Sequence, residues 1–214
     1  MTIMDKDLRD LLFTLPPGIE YTEELTDLEE ADIPAERIPK LLALMEADDG
    51  YPAFRAALVL CSWGEERGFE YLRSFVMREP PMEEGWYPHR LRNYDDTYRI
   101  AMLSFQDYWA RLATRSEAEG ELARRKIYEP VARIFELSNT MPFAIDYFFY
   151  LVSRRGFTEY LPALKEHLKA IIQNPTMHHW KIADCAHLLM KFDPEFAEST
   201  LAACGKTLAD FPNK

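Results

Sequence analysis

Apolar residues along this chain recur with a helical period. Ile38, Leu41, Leu42 and Met45 fall at i, i+3, i+4 and i+7, which places them on one face of a helix. Tyr98, Ala101, Met102, Phe105, Trp109 and Leu112 repeat that stripe, and Leu161, Leu164, Leu168, Ile171 and Ile172 form another. No stretch alternates strictly enough to argue for a strand. The spacing predicts helices over 4–14, 34–47, 52–63, 67–78, 95–113, 117–137, 142–154, 157–172, 178–191 and 194–209. Prolines punctuate this pattern. Asp193-Pro194, Asn174-Pro175 and Thr140-Met141-Pro142 each precede an apolar run. Asp or Asn caps a helix by accepting from its free amides, and Pro in the first turn gives up an amide that has no partner anyway. Pro130, inside the sixth helix, is expected to kink or split it. The segments 52–61 and 142–152 are apolar nearly all round and are expected to be the most buried members of their helix pairs.

Two stretches look alike. Ala56 to Leu72 reads AALVLCSWGEERGFEYL, and Ala144 to Leu161 reads AIDYFFYLVSRRGFTEYL. Each is an apolar helix, a charged turn, and a Gly-Phe then Glu-Tyr-Leu sequence opening the next helix, with one extra residue, Thr158, in the second. Helix pairs repeating every ~40–47 residues have the spacing of HEAT-type arrays. The chain therefore resembles a short HEAT-like α-solenoid, an all-α fold of stacked antiparallel helix pairs. The expected organisation is an acidic N-terminal segment with a short helix over 1–33 and a helical-repeat domain over 34–214. In such a stack each pair buries its neighbour's apolar face and leaves a surface suited to holding a partner.

Charge changes the picture. The formal net charge is −11 over 214 residues, and residues 1–50 hold 14 acids against 4 bases. The remainder is almost neutral, with 22 acids and 21 bases. Glu20, Glu23, Glu24, Asp27, Glu29, Glu30, Asp32 and Glu36 follow one another with no base among them. An acidic surface steers basic partners, and nucleic-acid binding needs the opposite sign. Acids of this kind, Glu23, Glu24, Asp27 and Glu30 among them, are expected to tolerate reversal to Lys without loss of the fold. The loop Glu79 to His89 carries Trp86 and Tyr87, residue types favoured as interface anchors. Rings folded back onto the helices are the competing reading.

Chemistry-bearing motifs are sparse. His178, His179 and His187 share a helix with Asp184 but lack the His-to-His i, i+4 spacing of a zinc helix, so no metal or cofactor is expected. Cys61, Cys185 and Cys204 sit among Ala, Leu and Val and read as core cysteines in a reducing compartment. Asp146, inside an apolar run, must be paired or protonated if buried. No GxSxG, phosphate loop or EF-hand loop occurs. No window reaches the ~20 apolar residues of a membrane span, and the N-terminus has no secretory pattern, so a cytoplasmic protein is expected. Size, acidity, repeat pattern and lack of a catalytic motif together resemble the acidic helical immunity proteins paired with type VI secreted or contact-dependent bacterial toxins. That resemblance implies one-to-one binding to a basic, nuclease-like toxin domain. No nucleic-acid, membrane or small-molecule partner is expected. A general helical adaptor and an all-α enzyme with an unrecognised site are the alternatives.

Overall fold

The computed structural model describes residues 5–47, 50–81, 85–91 and 93–212. Among them the fold is all-α. The helices are α1 (Lys6–Phe13), α2 (Ile38–Ala47), α3 (Tyr51–Ser62), α4 (Glu66–Val76), α5 (Thr97–Arg115), α6 (Glu117–Leu137), α7 (Phe149–Arg155), α8 (Leu161–Ile171), α9 (Pro175–Leu189) and α10 (Pro194–Ala203). The one β-type contact among the described residues is an isolated bridge between Pro88 and Asp95. The chain divides into two compact units. One comprises Met1–Met82 with Ile100–Ile127, and the other Glu83–Arg99 with Tyr128–Lys214.

In the first unit α3 is the central element. Every residue from Ala53 to Ser62 is buried, as the all-round apolar pattern predicts. Both α2 and α4 pack along it. At Gly68 the α4 backbone lies directly against α3. A Cβ there would lie 2.5 Å from the Cys61 amide nitrogen and 2.7 Å from the Leu60 Cβ. Phe69 stacks on Tyr108 at 4.8 Å and meets Phe105 edge-on at 5.5 Å. Gly120 allows α6 to cross α5, since a Cβ would sit 2.8 Å from the Ala113 Cα. Residues 5–33 contribute leucines to this unit's core. Leu12, Leu25 and Leu28 share a buried cluster with Leu41, Ala56, Val59, Leu60 and Trp63.

In the second unit Phe135, Phe148, Phe157 and Tyr160 form an aromatic core with centroids 4.7–6.3 Å apart. Asn174 and Asp193 cap α9 and α10 through their side chains at 3.3 and 3.1 Å, with Pro175 and Pro194 in the first turns. Helix α6 continues through Pro130 rather than splitting there.

The helix expected at 142–154 is corrected. Only a 3-10 turn at Asp146–Phe148 followed by α7 forms. The carbonyls that would start the longer helix are taken by side chains. Ser138 Oγ donates to Phe143 O at 3.1 Å, and Lys181 Nζ donates to Met141 O at 2.9 Å. Nor is 142–152 buried all round, because Tyr147 and Tyr150 are 53% and 56% exposed.

Candidate partner-binding surface

The acidic stretch is built on apolar pins. Leu25 and Leu28 are fully buried, each beside a 3-10 turn whose acids point outward. Trp63 Nε1 donates to Leu25 O at 2.7 Å, and Arg111 donates to Leu28 O. Tyr21 ties the next turn, accepting from the Glu29 amide at 2.8 Å and donating to Asp32 at 2.8 Å. Seven of the eight acids from Glu20 to Glu36 are exposed, and Asp32 is half-buried.

Their carboxylates are not equivalent. Glu24 meets Arg55 at 2.8 Å, and Glu30 meets Arg115 at 2.8 Å. Arg55 is only 5% exposed and also lies over the Phe13 ring at 5.0 Å. Glu24 and Glu30 are therefore bound to the protein's own cations. Glu20, Glu23 and Glu29 have no cation within ion-pair reach among the described residues.

Beside this segment lies a groove of about 540 Å³, lined by Asp27, Glu29, Glu30, Ser62, Asp107 and Arg111. Asp107 is a member that the charge pattern missed. It comes from α5, and Ser62 donates to it at 3.0 Å. Burial raises its pKa to about 6; the Ser62 bond pulls down, and the nearby Asp27 charge pushes up further. The periodicity gave no signal for it, because at 100° per residue Asp107 falls on the face of α5 opposite the apolar stripe.

Trp86 and Tyr87 fall in the second unit and are half-buried. The Tyr87 amide donates to Asp95 Oδ2 at 2.8 Å, and its carbonyl accepts from the Asp96 amide at 2.8 Å. Its hydroxyl is buried.

The other candidates are dispersed. His178 is buried, His179 lies on the surface beside the Phe211 ring at 5.2 Å, and His187 Nε2 is 3.1 Å from Phe211 O. Among the described residues no three His, Cys, Asp or Glu side chains are grouped to hold a metal ion. Cys61 and Cys185 are buried thiols whose pKa values burial raises. Cys204 is half-exposed and accepts from Gln173 at 3.5 Å, so it is not the core cysteine expected. Asp146 is half-buried, with Oδ1 lacking a partner.

The sequence readings missed a buried polar group in the second unit. Lys181, 3% exposed, donates to Ser138 O, to Ser138 Oγ at 2.9 Å and to Met141 O. All these acceptors are neutral, and burial pushes Lys181 down to about 7. His167 and His178 are pushed down by burial and by Lys181, to about 3 and about 4. Comparison with known proteins finds no matching family model, no matching curated protein and no matching solved structure.

Proposed function

We propose that this chain is a protein-binding module that holds a basic partner on the acidic face of its first unit, with stacked helix pairs as the rigid support. Its sharper form is an immunity protein that covers the active site of a secreted, nuclease-like toxin. The observation that supports this is the ordered backbone under Glu20, Glu23, Asp27 and Glu29. A solvated tail would have to be ordered on binding. Here Leu25, Leu28 and Trp63 have already fixed the geometry, so association loses less conformational entropy. Fixed like charges with no internal counter-charge repel one another, and a cationic partner relieves that repulsion.

The test is surface plasmon resonance against the protein encoded by the neighbouring gene, across a salt series. Reversing Glu20, Glu23, Asp27 and Glu29 to Lys slows association at least about tenfold at low salt, and the difference closes as salt screens the field. Glu24 and Glu30 are left intact because they hold Arg55 and Arg115. Equal on-rates for the two proteins at every salt concentration overturn the proposal. Trp86→Ala probes a separate anchor and raises the off-rate if its ring meets the same partner.

A further inference from the structure

A half-open cavity of about 530 Å³ lies within the second unit. It is within the range of small-molecule sites. Two carboxylates in its lining each have one buried oxygen without a hydrogen-bond donor. Asp96 is 7% exposed and its Oδ1 has no partner. Asp146, from the turn before α7, also has a buried and unpartnered Oδ1. Asp184 of α9 adds a third acid to the wall. A buried carboxylate oxygen without a donor is costly, and such groups are normally satisfied.

The wall already shows how it takes a cation. Arg99 lies over the Tyr147 ring at 4.3 Å, with Nη1 3.5 Å from Asp96 Oδ2. That one guanidinium still leaves Asp96 Oδ1 and Asp146 Oδ1 without a donor. Burial raises the Asp96 pKa above its ordinary value against the pull of Arg99, as expected for a carboxylate short of positive charge. Tyr94 and Trp180 stack nearly parallel, 6.2 Å between centroids, and make part of the lining aromatic. Carboxylates beside aromatic faces suit a charged nitrogen on an apolar body. A bare divalent ion is a poorer fit, since no three ligand side chains converge among the described residues. An anion would meet three like charges.

We propose that this cavity binds an organic cation, an ammonium or guanidinium group on a short apolar chain, with Asp96 and Asp146 receiving the charge and Tyr94 and Trp180 the chain. The site is in a different unit from the acidic face and stands independently of it.

Calorimetric titration of the full chain tests this with two cationic probes, agmatine and a blocked Gly-Arg-Gly peptide. Succinate and calcium chloride serve as controls. At least one cationic probe binds the wild type, and neither control does. Asp146→Asn and Asp96→Asn preserve shape and remove charge; each weakens binding at least about tenfold. Binding of agmatine alone identifies a free small amine as the ligand class, and binding of the peptide alone identifies a side chain of a protein. If neither probe binds at millimolar concentration, or if Asp146→Asn binds as the wild type does, the proposal is overturned. Should Asp96→Asn fail to fold, Asp146→Asn at the half-buried position decides alone.

Discussion

Gly68 and Gly156 occupy matching places in the two look-alike segments, yet they serve different physical needs. Gly68 sits in the first turn of α4 against the backbone of α3, with no room for a methyl group. Gly156 ends α7 at φ 73°, in the left-handed region, with nothing within 4 Å of a would-be Cβ. Gly68→Ala gains ~1 kcal/mol of helix propensity but overpacks a contact made partly of backbone, costing ~3 kcal/mol. The net is a fall in melting temperature of roughly 4–8 °C. Gly156→Ala costs only the left-handed strain, about 1 kcal/mol, or roughly 2–4 °C. Differential scanning calorimetry of both variants separates the two mechanisms. Equal falls would mean that the α3–α4 contact yields easily.

At the scale of elements, most helices were legible in the sequence because their signals are local. Asn174 and Asp193 cap where the Asx-Pro pattern places them, and the all-round apolar run at 52–61 is the buried α3. The 142–154 helix misled because its fate is decided by Lys181, some 40 residues away in sequence, capturing Met141 O. No periodicity encodes that contact. The acidic stretch was legible as charge but not as structure. Its two leucines looked incidental, and the partners of Glu24 and Glu30 lie far along the chain at Arg55 and Arg115. Reversal at Glu24 and Glu30 therefore carries a cost that their exposure alone does not predict. In urea denaturation, reversing Glu24 and Glu30 to Lys costs about 1–2 kcal/mol, because buried Arg55 loses its counter-charge and faces a like one. Reversing Glu20 and Glu29 instead stays within about 0.5 kcal/mol. Equal costs would show that the Arg55 pair carries no stability.

At the scale of the whole molecule, titration opposes itself across the two units. His167 and His178 have pKa values below their unfolded ones, so the unfolded chain takes up protons first as pH falls below about 6.5. The second unit thus loses stability on acidification, by about 2 kcal/mol at pH 5 for His167 alone. Asp107 is raised, so the first unit gains stability as pH falls through about 6. Lys181, lowered to about 7, has its effect between about pH 10 and 7 and is constant below. His167→Gln should therefore shrink the drop in melting temperature between pH 7 and pH 5. An unchanged drop would show that His167 is protonated in the fold. The units are also interleaved in sequence, with residues 83–99 of the second preceding residues 100–127 of the first. Order of synthesis follows from this. The first unit is complete once residue 127 has left the ribosome. The segment bearing Tyr94 and Asp96 is translated before that point but must wait through the whole of α7 and into α9 for Trp180. During translation the proposed cation site closes after the acidic face, and a nascent chain stalled between residues 127 and 180 would carry a finished acidic face and no cavity.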